Sequence, residues 1–408
     1  MAAELAARPA ASLQASSDLE LPHVNPRALA CALGPDHSAR LLILTHDRQL
    51  RGLIIADGRL VEDFPLLADC RENKPGLAIG TDGTAVAWAG ERSWRANPGT
   101  AWTQLPTLEG LLRVIPAGKH ILALSRTKGA EANSRRRFNL FVIGGPGAAA
   151  PIPWWDRPAK LSIHRLNDRE WSPAALVNRD DRLGFEQVLA SQCGPGGDLQ
   201  VLFESNHAFI LGAPANALQL LKVPLDRLLT GPAIALEAPS VPLTLPSHWA
   251  SGRPLGDPKL SASATVDLCM ARSDATTLIP ASDTVLQVKT LPNFPARLCA
   301  WEPGPENKPL LCPLLVDTMP VNVPVDLIPI DRDHAALLLR LGPREFLGET
   351  RAGLALILRQ GPGLWTRPLR LVSTPFPETA LLACAPDRFL LVWLDDQKIL
   401  RTRWLFVQ

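Results

Sequence analysis

The sequence of 408 residues contains no tyrosine, which excludes any mechanism with a tyrosine nucleophile. It also contains no apolar run near the roughly 18 residues that a membrane-spanning helix requires. Its first 17 residues include Glu4 and no continuous apolar stretch of the kind found in secretory signals. These absences predict a soluble, cytoplasmic protein without a membrane partner.

An excess of charge of one sign is also absent. Lysine and arginine total 42 and aspartate and glutamate total 40, so the formal net charge is +2. A chain this close to neutral has no bulk field to attract a polyanion. Nucleic acid is therefore not expected as a partner. Hydrophobic residues make up 46% of the sequence, enough to form a large globular core.

The common catalytic and cofactor motifs are missing. The sequence contains no HExxH, no GxSxG, no GxxxxGK[ST] and no GxGxxG after a strand pattern, so neither a metal nor a cofactor is expected. The seven cysteines form no CxxC pair, and several lie within apolar runs. This favours buried, reduced thiols, with a disulfide or metal role as the alternative.

A repeated pattern of short strands and turns is what the sequence does contain. Residues 379–408 hold three apolar runs, separated by Pro386-Asp387 and by residues 395–397, and this spacing predicts a meander of three strands. Three strands alone would leave a long apolar edge unpaired. We therefore expect residues 18–24, DLELPHV, to supply a fourth strand and to join the two ends of the chain in one sheet.

Similar groups of strands recur upstream. Their first strands are expected to begin near residues 27, 76, 111, 185, 264, 325 and 379. The pattern resembles β-propellers in general, which implies an all-β fold of about seven, possibly six, four-stranded blades closed by an N-terminal strand. Neither the closing Trp-Asp pair of WD repeats nor the Asp-box turn of sialidase-like propellers is present. Sialidases use a tyrosine nucleophile, so that activity is excluded here.

The sequence predicts one folded domain. Residues 1–17 lack a periodic pattern and are expected to be flexible, and residues 18–408 are expected to form the propeller. Two insertions are expected in it, at about 154–184 and at about 225–262, the second of them rich in proline. A further proline-rich crossing is expected to contain Pro309, Pro313, Pro320 and Pro324.

The first insertion is the predicted binding site. It combines aromatic and arginine side chains, which are enriched at protein interfaces, and an insertion between blades would emerge at the rim or channel mouth. The predicted binding residues are Trp154, Trp155, Arg157, His164, Arg165, Arg169 and Trp171. Alternatively, the tryptophans cap the core and the charged side chains pair with one another in solvent.

Three Asp–His groups offer acid–base chemistry, at residues 36–37, 46–47 and 331–334. Each lies between two strand patterns, where aspartate and histidine are ordinary turn residues. Because no catalytic motif accompanies them, we expect a protein-interaction scaffold or binding module with protein partners. The alternative is a hydrolase or lyase that uses carboxylate or histidine chemistry, or a small-ligand binder, with its site at the channel mouth.

Overall fold

A computed structural model gives the structure of most of the chain. The residues that it describes are 8–9, 12–21, 25–72, 75–127, 160–178, 183–193, 197–207, 216–237, 275–278, 285–291, 297–303, 309–316, 323–331, 333, 334–341, 345–346, 349–350, 353–373, 380–385 and 388–407. Nearly all of them lie in β-strands or in turns between strands. Two short N-terminal strands, β1 (Leu13–Ala15) and β2 (Leu19–Leu21), pair with the last strand of the chain and are described with it below.

Blades 1 and 2 are antiparallel meanders whose strands follow in chain order. Blade 1 consists of β3 (Pro26–Leu33), β4 (Ala39–Thr45), β5 (Leu50–Ala56) and β6 (Arg59–Leu67). Blade 2 consists of β7 (Pro75–Ile79), β8 (Ala85–Ala89), β9 (Arg92–Ala96) and β10 (Thr103–Gln104). The turn between β5 and β6 has positive φ at Asp57 and Gly58, the conformation that a tight hairpin requires.

Blades 3 and 4 are linked by a short helix. Blade 3 consists of β11 (Leu111–Ala117), β12 (His120–Thr127), β13 (Lys160–Asn167) and β14 (Glu170–Asn178), and the described part of blade 4 consists of β15 (Leu183–Cys193), β16 (Asp198–His207) and β17 (Asn216–Pro224). Helix α1 (Leu225–Leu229) follows β17, and strand β18 (Ile234–Glu237) then adds to blade 3, parallel to β14.

The predicted insertion at 154–184 is wrong for its described part. Strands β13 and β14 are the third and fourth strands of blade 3, and they pair from Ser162↔Leu176 to Asn167↔Glu170 with one register shift between Ile163 and His164. The sequence pattern does not show this pairing, because 32 residues separate β12 from β13 in the chain. Local periodicity does not reveal that two such separated strands pair with each other.

Blades 5 and 6 follow the same meander order. Blade 5 consists of β19 (Ala275–Leu278), β20 (Val285–Leu291), β21 (Arg297–Pro303) and β22 (Pro309–Val316). Blade 6 consists of β23 (Val323–Pro329), β24 (His334–Leu341) and β27 (Gly353–Gly361), with β28 (Leu364–Trp365) and β29 (Leu369–Val372) both paired to β27. A separate hairpin of β25 (Glu345–Phe346) and β26 (Glu349–Thr350) lies between β24 and β27 in the chain.

Several prolines in this region lie in strands and not in an irregular crossing. Pro309 and Pro313 lie in β22 and Pro324 lies in β23, so the predicted proline-rich crossing is wrong at these positions. Pro320 lies outside the described residues. Strand β22 is the last strand of the blade 5 sheet, and β23 is the first strand of the blade 6 sheet, so both are edge strands. An edge strand leaves alternate N–H groups outside the ladder, so proline costs few hydrogen bonds there.

Blade 7 joins the two ends of the chain, as predicted. It consists of β30 (Ala380–Ala385), β31 (Arg388–Leu394) and β32 (Leu400–Val407), and both β1 and β2 pair with the outer side of β32. Leu19 lies opposite Thr402, and Leu13 lies opposite Val407. Strand β1 belongs to residues 1–17, so part of the segment that was expected to be flexible is a paired strand.

The seven sheets form a closed ring, and the chain is a β-propeller. Their first strands contact one another in the order β3, β7, β11, β15, β19, β23, β30 and back to β3. Six of the sheets have four or five strands, and blade 4 has three among its described residues. Side chains on alternate positions of each strand pack against the blade on either side. Leu42 and Leu44 thus face blade 2, whereas Leu41 and Ile43 face blade 7.

Apolar clusters between neighbouring blades form the core. They lie between blades 1 and 2, 2 and 3, 3 and 4, 5 and 6, 6 and 7, and 7 and 1. Trp393 on β31 is 1% exposed, as its position among apolar residues predicted. No helix in the described part of the chain is long and apolar enough to cross a membrane.

Candidate functional site

The ends of the strands define two faces of the ring. In an antiparallel meander successive turns lie at alternate ends, so the turns after every second strand share a face with the connections between blades. We call this the upper face and the opposite one the lower face. The connections from β6 to β7 and from β10 to β11, and the turn from β8 to β9, all lie on the upper face.

A cleft of about 1110 Å³ opens where these three segments meet the end of β12. We call it the upper cleft. Its charged residues are Asp69, Arg71, Glu72, Glu91, Arg92, Glu109 and Arg126, which together present four carboxylates and three guanidinium groups. They come from blades 1, 2 and 3, so the ring itself sets their spacing. This volume is slightly above the range for small-ligand pockets, about 300–1,000 Å³.

Backbone contacts fix the wall of the upper cleft. The N–H of Gly110 donates to Glu91 Oε1 at 2.8 Å, and the N–H of Arg126 donates to the carbonyl of Gly110 at 2.7 Å. Gly110 has φ of +66°, and a Cβ there would lie 2.1 Å from the carbonyl oxygen of Arg126. Only glycine permits this approach. The connection between blades 2 and 3 is therefore held against the end of β12.

The carboxylates and guanidiniums of the upper cleft are only partly paired. Asp69 lies 3.4 Å from Arg71 and 3.8 Å from Arg48, and all three side chains are more than half exposed. Ion pairs this exposed contribute about 0–1 kcal/mol and break readily when a ligand competes for them. Asp69 and Arg71 can therefore exchange their present partners for those of a ligand at little cost.

The upper cleft also has an apolar part. Leu112 on β11 is 37% exposed, whereas its neighbour Leu111 is buried. Cys70 is buried as well, and burial raises the pKa of its thiol, so it remains protonated at neutral pH. Five of the described cysteines form no disulfide: Cys31, Cys70, Cys193, Cys299 and Cys312. A ligand in this cleft would meet charged groups beside a small apolar surface.

The predicted binding residues do not form one platform where the structure describes them. Trp154, Trp155 and Arg157 lie outside the described residues. His164 and Trp171 lie on the side of blade 3 that faces blade 2, where Trp171 Nε1 donates to Ser93 Oγ at 3.2 Å.

The other two predicted residues have different surroundings. Arg165 donates to the carbonyl of Gly231 at 2.8 Å and to that of Leu228 at 3.4 Å, so it holds the segment around α1 against blade 3. Arg169 is exposed in the turn between β13 and β14, on the lower face. The four described residues therefore point to three different places.

His164 forms a buried pair with a serine. Its Nε2 lies 2.8 Å from Ser125 Oγ, and Ser125 is 0% exposed. Burial lowers the pKa of His164, so the ring is neutral at pH 7. A substrate has no access to a serine sealed between two blades, so this pair is structural.

The Asp–His groups are turns, as the sequence indicated. Asp36 accepts hydrogen bonds from the N–H and hydroxyl of Ser38, and the hydroxyl of Thr45 bonds to Asp47. Asp331 accepts the N–H groups of Asp333 and His334, each at 2.8 Å. Within the described part of the chain, no three histidine, cysteine, aspartate or glutamate side chains are arranged to hold a metal ion.

The upper cleft could not be predicted from the sequence. Its charged residues lie in turns and connections, where charges are common on any soluble protein, so no local pattern distinguishes them. They become a group only because the ring brings three blades together. Once the order of the strands is known, the charged residues in successive connections on one face would indicate the cleft.

No family model matches the sequence, and no curated protein matches it. Among solved structures, the polysaccharide lyase Uly1 is 8% identical, with a TM-score of 0.55 over 96% of this chain and 92% of that one. A lectin from Burkholderia pseudomallei is 12% identical, with a TM-score of 0.48 over 94% of this chain and 97% of the lectin. The N-terminal domain of Nup159 is 8% identical, with a TM-score of 0.39 over 97% and 95%. At such identities the likeness to the lyase is one of fold alone.

Proposed function

We propose that the protein is a binding module that recognises a protein partner through the upper cleft. The observation that carries this proposal is the cleft of about 1110 Å³, with seven charged side chains supplied by three blades of a rigid ring. The cleft contains both positive and negative side chains, so it suits a partner segment that also carries both. Complementary charges would fix the position of that segment along the cleft. Arginine is enriched at such interfaces, and the cleft has three.

The exposed Leu112 supports a protein ligand further. An apolar contact surrounded by charged groups matches the usual anatomy of an interface, with an apolar centre and a polar rim. The exposed ion pair between Asp69 and Arg71 can open at little cost to admit a partner's charges.

The enzymatic alternative would rest on the carboxylates alone. The described lining of the upper cleft contains no histidine, lysine or tyrosine, so a proton-abstracting base would have to be an acidic residue. One of these, Glu91, already accepts the N–H of Gly110. Binding of a partner would therefore involve more of the charged side chains in the upper cleft than catalysis would.

Site-specific photo-crosslinking tests the proposal. A photoreactive amino acid is placed at Leu112, in the upper cleft, and in a matched variant at Val61, which is 63% exposed on β6 of blade 1. In the native host, Leu112 should give a discrete crosslinked protein and Val61 should not. The double variant Arg92→Glu/Arg126→Glu should abolish that product, whereas Arg59→Glu on the lower face should retain it.

Two results would contradict the proposal. One is the same crosslinked product from both positions, which would mark the partner as nonspecific. The other is full retention of the Leu112 product in Arg92→Glu/Arg126→Glu, with an unchanged melting temperature, because the charges of the cleft would then contribute nothing to recognition.

A further inference from the structure

A second pocket, of about 450 Å³, lies on the lower face between blades 2 and 3. Three turns surround it, from β7 to β8, from β11 to β12 and from β13 to β14, and all three lie at the opposite end of the strands from the upper cleft. We call it the lower pocket. The N–H of Thr81 donates to the carbonyl of Gly118 at 2.9 Å, and the guanidinium of Arg95 donates to the backbone carbonyl of Asp168. These bonds tie the three turns together.

Basic groups dominate the wall of the lower pocket. Arg95, Lys119 and His120 line it, against one carboxylate, that of Asp168. Lys119 and His120 are exposed, and neither side chain makes a hydrogen bond or ion pair with any other described residue. With His120 neutral the charged groups sum to +1, from two cations and one anion. The two polar neighbours are already engaged, since Thr84 bonds to Asp82 and Asn167 to Ser172.

Arg95 is held on the wall of the lower pocket. Its side chain is half-buried, and its guanidinium donates to the backbone carbonyl of Asp168. Its Nε has no hydrogen-bond partner among the described residues, but it is too buried for a ligand in the pocket to reach. The bond to Asp168 therefore fixes the positive charge of Arg95 beside Lys119 and His120.

We propose that the lower pocket binds an oxyanion, held by Arg95, Lys119 and His120. Hydrogen bonds between cationic donors and carboxylate, sulfate or phosphate oxygens are shorter and stronger than neutral ones. The volume of about 450 Å³ admits a group the size of one sugar acid as well as a free inorganic anion. This site is separate from the upper cleft and does not depend on the function proposed for it.

Isothermal titration of the full chain with sodium sulfate, phosphate and glucuronate tests the site. Total ionic strength is held constant with chloride, so that screening is equal in every titration. Glucuronate binding tighter than the two inorganic anions identifies a carboxylated sugar as the source of the oxyanion. The reverse order identifies a free inorganic anion, and either order supports the site.

Three variants make the result specific. Lys119→Gln should weaken binding about tenfold, because it removes one charge-assisted contact. Asp168→Asn should tighten binding severalfold, because it removes the opposing carboxylate and keeps the backbone carbonyl that Arg95 contacts. Arg59→Gln is the control, since Arg59 lies on the same face in blade 1, away from the lower pocket.

All three side chains are exposed, so each variant should melt at the temperature of the parent protein. The proposal is overturned if none of the three anions binds. It is equally overturned if Lys119→Gln and Asp168→Asn bind with the affinity of the parent, or if Arg59→Gln weakens binding as much as Lys119→Gln does.

Discussion

The buried ion pair between Glu302 and Arg359 shows what single residues contribute to this fold. Glu302 is 0% exposed and Arg359 is 2% exposed. Arg359 donates Nε and Nη2 to Glu302 Oε2, at 2.9 and 2.6 Å, and Nη1 to the carbonyl of Asp333 at 2.6 Å. Glu302 Oε1 accepts the N–H of Gly363 at 2.7 Å. Every charge is therefore satisfied, and the pair joins blade 5 to blade 6.

We predict that Glu302→Gln destabilises the protein by about 3–5 kcal/mol, because it leaves a buried guanidinium without its counter-charge. Asp63→Asn is the matched control. It breaks the pair with Arg51, whose side chains are 27% and 36% exposed, and should cost less than about 1 kcal/mol. Urea unfolding measures both values. Equal losses of unfolding free energy in the two variants would contradict the conclusion that the buried ion pair contributes more to stability than the exposed one.

At this scale the sequence revealed burial but not pairing. Trp393 was predicted to be buried because apolar residues surround it in the chain, and it is 1% exposed. Glu302 and Arg359 are 57 residues apart, and each looks like an ordinary surface residue in its local sequence. Their pairing follows from the neighbouring positions of two blades, which no local pattern encodes.

Among the elements, the contact of the N-terminal strands with β32 determines how the ring closes. Arg401 on β32 donates Nε to Asp395 at 2.5 Å, and its Nη1 lies 2.7 Å from Glu20 of the N-terminal segment. Arg403 pairs with Asp18 in the same way, at 2.6 Å. Burial alone would raise the pKa of Asp395, but the hydrogen bonds from Arg401 and from the N–H groups of Ile399 and Gln397 outweigh it and lower that pKa.

The lowered pKa of Asp395 gives stability a defined dependence on pH. A carboxyl with a lower pKa in the folded state stabilises the protein above its unfolded pKa, and this contribution is lost as pH falls through the folded pKa. The ordinary value is 3.8. We therefore predict that the urea midpoint falls as pH decreases from 5 to below 3.8, and that Asp395→Asn weakens this dependence.

Asp57→Asn is the control for that experiment, because Asp57 is exposed in the turn between β5 and β6. Its pH profile should match that of the parent protein. A profile for Asp395→Asn that also matches the parent, at every pH from 7 to 3, would show that Asp395 does not support the closure.

Elements with local turns could be predicted, and elements defined by distant partners could not. The strands of blade 7 agree with the sequence pattern within a few residues, since their turns are short and their apolar runs are continuous. Strands β13 and β14 were mistaken for an insertion, because 32 residues separate β13 from its partner β12 in the chain. The same error assigned the predicted binding site to a loop, whereas its described residues lie on blade 3.

For the whole molecule, ring closure decides where ligands can bind. The upper cleft and the lower pocket each require blades 2 and 3 at a fixed distance, and the ring maintains that distance. The sequence predicted the ring from repetition, yet it could not predict either cavity. Cavities form between blades, from residues whose separation in the chain has no relation to their separation in space.

The pairing of β1 and β2 with β32 closes the ring. Gln14 lies opposite Phe406 in this pairing, and both side chains are exposed. The double variant Gln14→Cys/Phe406→Cys should therefore form a disulfide on mild oxidation, because directly opposed positions bring Cβ atoms close enough. The bond should raise the melting temperature, and reductant should reverse the effect.

Gln14→Cys/Val407→Cys is the control for this measurement. Val407 is 44% exposed and one residue out of register, so its side chain lies on the other face of the sheet. Mass spectrometry under non-reducing conditions should show the crosslink in the first variant and free thiols at the introduced positions in the second. A folded first variant that remains reduced, or a control that crosslinks as readily, would contradict the closure of the ring.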